Sequence, residues 1–169
     1  LNKYLSVTPN AIVQKYLSGE EFTSTTVVFD KKCYGVVSMK REMKYPGITT
    51  KALVDDFSTY NHIIRKAAEV LNPFGPCNFQ WKLEEDKPII FEINCRFSGT
   101  TPFCAMIGFN TVEMIIRHVV LGEEIKPLEK FRRGLILRYF NEIFIPATDF
   151  EILSNQGFID NPKSEVNIF

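Results

Sequence analysis

Apolar and polar positions alternate most clearly over residues 77–83, where Cys77, Phe79, Trp81 and Leu83 interleave with Asn78, Gln80 and Lys82. A period of two predicts a strand with one dry and one wet face. Residues 84–88 read as a turn. In the returning strand Phe91, Ile93, Cys95 and Phe97 alternate with Glu92, Asn94, Arg96 and Ser98. Pairing across that turn sets Gln80 opposite Glu92 and Asn78 opposite Asn94. One face then presents Asn78, Gln80, Glu92, Asn94 and Arg96 together, and Cys95 points to the dry side as a core residue.

A second hairpin is predicted upstream. Residues 21–29 (EFTSTTVVF) are rich in Thr, Val and Phe, 30–32 (DKK) make a turn, and 34–39 (YGVVSM) return. Residues 10–17 (NAIVQKYL) form a short apolar run ending at Ser18-Gly19. Residues 40–54, with Pro46-Gly47, lack a helical period and read as a loop leading to a strand edge. Over residues 57–71, Ile63, Ile64, Ala67, Ala68 and Leu71 recur at helical spacing, with Ser58 as N-cap and Asn72-Pro73 as the stop. This amphipathic helix is expected to pack on the sheet. Residues 110–121 predict another helix, capped by Asn110 with Glu113 three residues on and stopped at Gly122, with Val112, Ile115, Ile116 and Val119 facing the core. Residues 134–145 suggest a further strand, bent or followed by a second at Asn141-Glu142, and the last twenty residues give no clear pattern. The fold class is α+β: an antiparallel sheet with helices packed on one face, in a single domain spanning residues 1–169.

Composition narrows the function classes. Twenty Lys and Arg balance twenty Asp and Glu among 169 residues, which disfavours a nucleic-acid surface or a disordered tail. The longest apolar runs are broken by Arg117 or end at Gly122, far short of the roughly 18 residues of a membrane span, so no membrane partner is expected. Four cysteines without a CxxC pair, and only two histidines, argue against a zinc site or a disulfide framework and place the chain in a reducing cytoplasm. His62 reads as a surface residue and His118 as packed. The chain begins at Leu1, so it is expected to be a fragment of something longer.

The polar face of the 77–98 hairpin carries the candidate chemistry. Hard cations such as Mg²⁺ take oxygen ligands and are held by one or two carboxylates plus the phosphates of a substrate. Glu92 and Asn94 suit that role, and Arg96 offers a planar, always-charged fork to a phosphate oxygen. Alternation alone equally describes the solvated outer face of a sheet.

The order GEEFTSTTVVFD, PGITT, helix, GPCNFQWK, PIIFEINCRFSGTTPF, GFN and VLGEEI, and above all the string Q-x11-E-x-N-x-R formed by Gln80, Glu92, Asn94 and Arg96, resembles the C-terminal half of an ATP-grasp domain. Such domains occur in carbamoyl-phosphate synthase large subunits and related carboxylate-amine ligases, and the likeness spans residues 10–126. The resemblance implies that Glu92 and Asn94 coordinate the Mg²⁺ ions (or Mn²⁺) bridging the ATP phosphates, that Gln80 joins the metal sphere, and that Arg96 steadies the transferring phosphate as the catalytic residue. It implies that the backbone of Gln14, Lys15, Tyr16 and Leu17 holds adenine, that Glu20 or Glu21 binds the ribose hydroxyls, and that Arg41 and Thr49 face the phosphates or the acceptor. Each glutamate also reads as a solvated turn charge, and Arg41 and Thr49 as solvated loop positions. The family usually writes N-P-R where this chain has Asn94-Cys95-Arg96.

The implied function is an ATP- and Mg²⁺-dependent ligase acting through an acyl phosphate, with ATP, a small-molecule carboxylate and an amine acceptor as substrates. The missing N-terminal half would come in cis or in trans, the isolated fragment would be inactive, and a homodimer is allowed. The alternative is a non-catalytic or split ATP-grasp domain that serves as an interaction or metabolite-binding module.

Overall fold

Val, Thr and Phe dominate the first hairpin, and their β-branched and aromatic side chains suit a pleated surface. In a computed structural model, which describes residues 10–45, 47–139, 143–160, 162–163 and 165–166, they form β1 (Glu21–Phe29) and β2 (Lys32–Glu42). The turn between them sits at Asp30 and Lys31, both with positive φ. Next come β3 (Lys51–Val54), α1 (Ser58–Leu71), β4 (Gly75–Glu84) and β5 (Lys87–Asn94). The short helices α2 (Thr101–Met106) and α3 (Thr111–Ile115) follow, α3 running on into a π turn at Ile116–Val120, and then β6 (Gly134–Leu137). All pairings in the six-stranded sheet are antiparallel, in the order β5-β4-β1-β2-β3-β6. The fold is thus the α+β antiparallel sheet expected, with β3 emerging inside the segment read as a loop.

Alternation along the strands gives each sheet face its own core. Phe22, Val28, Val36, Cys77, Phe79 and Trp81 pack with Ile64 and Ala68 of α1. Trp81 is fully buried and stacks on Phe22 with ring centroids 4.2 Å apart; truncating such a side chain costs about 3–5 kcal/mol. Its indole Nε1 donates to Ser24 Oγ at 2.7 Å, Ser24 Oγ lies 2.6 Å from Ser38 Oγ, and the Ser38 hydroxyl donates to Asn61 Oδ1 at 2.6 Å. Every polar group on this path into α1 is therefore satisfied. On the opposite face Val27, Phe29, Val37, Met39, Ala52 and Val54 pack with Phe103, Cys104, Ile107, Phe109 and Ile125. Toward the β4–β5 side this face turns polar, with Thr23, Thr25 and Asn78 buried on it.

Local details differ from the sequence reading. Ser58 is the first residue of α1 and not its cap; Asp56 Oδ1 accepts from the Ser58 N–H at 3.0 Å instead. Asn72 ends the helix in the left-handed conformation. Asn110 does cap α3, accepting from Glu113 N at 3.3 Å, and Gly122 follows the π turn with φ 69°. The buried stripe of this helix is one position out of phase with expectation. Thr111, Met114 and Ile115 turn inward and the His118 ring packs on Phe29 at 4.6 Å, whereas Val112, Ile116 and Val119 are exposed. Residues 11–18, which hold most of the short apolar run of 10–17, form no regular element.

The chain divides after Leu137 into two units where the sequence suggested one domain. In the second, β7 (Ile143–Phe144) pairs with β8 (Glu165–Val166), and α4 (Ala147–Gln156) ends at a left-handed Gly157. Asp149 is buried and accepts from Lys163 N at 2.6 Å. The α4 sequence has weak amphipathicity and gave no readable period; Asn141 and Glu142 lie outside the described residues. Among the described residues, no helix is long and apolar enough to cross a membrane.

Candidate metal–nucleotide site

The hairpin β4–β5 turns at Glu85 and Asp86, both with positive φ, the backbone of a two-residue hairpin loop. From this turn the ladder runs Glu84–Lys87, Leu83–Pro88, Lys82–Ile89 and Trp81–Ile90. Continued regularly, it would set Glu92 opposite Phe79, against α1. A bulge between Gln80 and Trp81 skips Phe91, so that Gln80 pairs with Glu92 and Asn78 with Asn94, as the alternation predicts. The bulge re-aims the strand and brings Glu92 and Asn94 onto the polar face of the sheet, which Glu21 and Thr23 of β1 and Arg41 of β2 share.

Three oxygen-bearing side chains, Gln80, Glu92 and Asn94, share this face on paired strands. Asn94 Nδ2 donates to Glu92 Oε1 at 2.7 Å, which leaves the Asn94 amide oxygen facing away from the carboxylate. Gln80 Oε1 accepts from Arg41 Nη2 at 2.7 Å. Arg41 is nearly buried, with 7% of its side chain exposed, and its Nε donates to Glu21 Oε1 at 2.8 Å. Lys82 Nζ lies 3.5 Å from Glu21 Oε2 and donates to Leu17 O at 3.1 Å. A continuous polar path, Lys82–Glu21–Arg41–Gln80, therefore crosses β4, β1 and β2.

Two clefts adjoin this path. One, of about 190 Å³, is lined by Gln14, Lys15, Leu17, Glu21, Lys82 and Phe91. Gln14 Nε2 donates to Phe91 O at 3.3 Å and Lys15 Nζ to Glu84 Oε2 at 2.5 Å, tying the incoming segment to the hairpin. Tyr16 is 83% exposed and does not line the cleft. Glu20 lies outside it as well, paired with Lys40. The second cleft, of about 60 Å³, holds Arg41, Thr49, Gln80 and Arg96 with Thr23, Asn78, Ser98 and Thr100. Thr49 is buried, and Arg96 is exposed with Nη1 donating to Phe97 O at 2.8 Å.

Of the expected site residues, Gln14, Lys15, Leu17, Glu21, Arg41, Thr49, Gln80 and Arg96 line the two clefts, Glu92 and Asn94 line neither and are set beside Gln80 and Asn78 by strand pairing, and Tyr16 and Glu20 also lie outside. Lys82, Phe91, Ser98 and Thr100 were missed as lining residues. Lys82 stood on the wet face of β4, so its signal was present, but Phe91 was assigned to the dry face because alternation cannot announce a bulge. Asn78, expected on the wet face, is buried and donates to Thr23 Oγ1 at 2.8 Å and Ser24 O at 3.1 Å. Cys95 is exposed and not core: it follows the edge strand β5 by one residue and turns toward buried Cys77, Sγ to Sγ 3.8 Å. Burial first, then the Cys95 thiol, pushes Cys77 up to about 12.

A family model described as "ATP-grasp in the biosynthetic pathway with Ter operon" matches residues 7–143. The chain belongs to this ATP-grasp family. The carbamoyl phosphate synthase large chain of Pseudothermotoga lettingae is 24% identical over 139 residues, covering 76% of this chain and 12% of that protein. Phosphoribosylglycinamide synthetase from Anaerococcus prevotii matches with TM-score 0.58 at 16% identity, over 83% of this chain and 42% of the other. The biotin carboxylase domain of Hydrogenobacter thermophilus 2-oxoglutarate carboxylase, solved with MgADP, ADP and bicarbonate, matches with TM-score 0.56 at 15% identity, over 72% and 30%. These structural likenesses show the shared fold. The ATP-grasp chain spans about an eighth of the curated relative and under half of these solved chains.

Proposed function

We propose that this chain supplies the metal–nucleotide half of an ATP- and Mg²⁺-dependent ligase that activates a carboxylate as an acyl phosphate for attack by an amine or another nucleophile. The observation that carries the reading is the bulged register, which aligns Gln80 with Glu92 and Asn78 with Asn94 beside the Arg41–Glu21 pair. The donor set suits a hard cation: one carboxylate and two carboxamides, all oxygen, leaving positions for phosphate and water. Among the described residues no cluster of three His, Cys, Asp or Glu side chains offers a different metal site. Glu92, Asn94 and Gln80 would hold Mg²⁺, or Mn²⁺ in its place, and the bound cation would offset charge on the ATP phosphates.

The remaining roles fall to side chains in the two clefts. The larger cleft takes the nucleoside, with the backbone of residues 14–17 along the base and Glu21 at the ribose hydroxyls. Glu20 loses that role because it lies outside the cleft, paired with Lys40. Arg41 is held by Glu21 and Gln80; it fixes the Gln80 oxygen and carries positive charge to the floor of the phosphate cleft. Arg96, exposed close to Asn94 in sequence, steadies the phosphoryl group as it leaves ATP, and Thr49 lines the same cleft. Catalysis of this kind is positioning and charge neutralisation, and it requires no protein nucleophile. The site is completed by the N-terminal half of the domain, in cis or in trans, and the isolated chain binds nucleotide without turnover.

Thermal unfolding of this chain with ADP, with and without Mg²⁺ and beside Glu92→Ala, tests the reading. Saturation at 100 times the dissociation constant adds about 2.7 kcal/mol, or about 5–10 °C for a chain of this length. The gain is expected only with Mg²⁺ and only in the wild type. A shift independent of Mg²⁺, or retained in Glu92→Ala, would falsify the assignment of the metal face.

A further inference from the structure

We infer that Cys95 is a thiol-modification site for low-molecular-weight disulfides such as oxidised glutathione, and that Cys77 resolves the adduct into a reversible disulfide linking β4 to the end of β5. The register that pairs Asn78 with Asn94 places Cys77 across from Cys95 on the sheet face opposite the metal residues, and their sulfurs stand 3.8 Å apart. Cys95 is exposed just past the end of the edge strand β5, so an oxidant in solvent reaches it; Cys77, 1% exposed, meets only what Cys95 delivers. The pair has no third ligand-type side chain grouped with it among the described residues. Sulfur–sulfur chemistry therefore suits this pair better than metal binding.

The chemistry balances in two exchanges. The Cys95 sulfur, its proton lost to water, attacks one sulfur of the oxidant; the oxidant's disulfide breaks and a thiolate departs to take up a proton. The Cys77 sulfur then attacks Cys95 Sγ, the bond to the small thiol breaks, and that thiol leaves with the proton of Cys77. Two protein thiols are oxidised by two electrons, and one small disulfide is reduced to two thiols. Closing the bridge draws the sulfurs from 3.8 Å to bonding distance, and so pulls on the backbone between Asn94 and Arg96. On the nucleotide reading above, on which this consequence alone rests, oxidation loosens MgADP binding at least about tenfold, since displacements near an ångström are costly in such sites.

The test incubates the full chain with oxidised glutathione, alkylates the remaining thiols and maps them by peptide mass spectrometry. The expected product is a Cys77–Cys95 link that dithiothreitol reverses, with Cys33 and Cys104 alkylated. Cys77→Ala should stop at a glutathione adduct on Cys95, and Cys95→Ser, an exposed and structurally mild change, should take up none. Free Cys95 after oxidation, a stable adduct in the wild type, or a link to Cys33 each overturns the inference. MgADP melting of reduced and oxidised chain then reads the consequence: an equal shift in both removes the coupling to the site. A reduced chain that gives no shift counts against the nucleotide reading, while the thiol map still decides the modification.

Discussion

Glu20 and Glu21 are adjacent carboxylates with opposite expected importance. Replacing Glu21 by Gln keeps shape and one acceptor but removes the charge facing Arg41, whose side chain is 7% exposed, while Glu21 itself is 18% exposed. At a separation of about 3 Å and an effective dielectric near 20, such charges attract by roughly 5 kcal/mol before desolvation is counted. Breaking a fully buried pair costs about 3–5 kcal/mol because the orphaned charge stays buried. Water at the Glu21 edge and the remaining bond from Arg41 to Gln80 reduce this to about 2–3 kcal/mol, or about 5–10 °C in Tm. Glu20→Gln breaks only the pair with Lys40, whose side chains are 55% and 37% exposed, and should cost under about 1 kcal/mol. Thermal melts of both variants, without nucleotide, make the comparison. Equal losses, or a larger loss in Glu20→Gln, would refute the view that Arg41 is a buried charge dependent on Glu21.

Gly19→Ala should destabilise the chain and weaken its nucleotide response together. A Cβ there would sit 1.6 Å from the Leu83 carbonyl oxygen, a backbone atom that no rotamer can move aside. The segment must retreat, giving up the Leu83 N–H bond to Glu20 O, at about 2–3 kcal/mol in all; an unchanged melting curve would contradict this packing. Asp56 gives a pH signature: the Ser58 backbone N–H, and then its hydroxyl, hold the carboxyl below its usual value near 3.8. A depressed carboxylate contributes fully above that value and loses its contribution as pH falls through the folded one. In urea titrations the deficit of Asp56→Ala should be constant near neutrality and vanish at strongly acid pH, and a deficit that grew on acidification would reverse the sign.

Periodicity made the strands and α1 readable, because each buries one face against a continuous core and so repeats every second residue or every third and fourth. The pairing of Gln80 with Glu92 followed from a turn read over residues 84–88, one residue longer than the turn at Glu85 and Asp86, and the bulge makes up that residue. Tyr16 and Glu20 lie outside the cleft that Gln14, Lys15, Leu17 and Glu21 line, since neighbours in sequence separate once the chain leaves regular structure. The phase of α3 was misread because a five-residue helix continued by a π turn is too short for its apolar residues to define a stripe. Phe91 and the exposure of Cys95 depended on a bulge and on a strand having one neighbour only, and neither fact is local to the residues concerned. The π turn and the weakly patterned α4 gave no signal of their own.

The bulge also leaves a mark in simple counting. With a two-residue turn at Glu85 and Asp86, a regular ladder would pair Gln80 with Phe91 and put ten residues between partners; the chain has eleven between Gln80 and Glu92. A chain one residue shorter in this interval can keep its carboxylate opposite the glutamine only by giving up the bulge, and then the residue before the carboxylate moves under α1. Gaps in this hairpin are therefore not neutral lengths of loop. Odd changes must be matched by gain or loss of a kink, and the eleven-residue spacing is the written record of one.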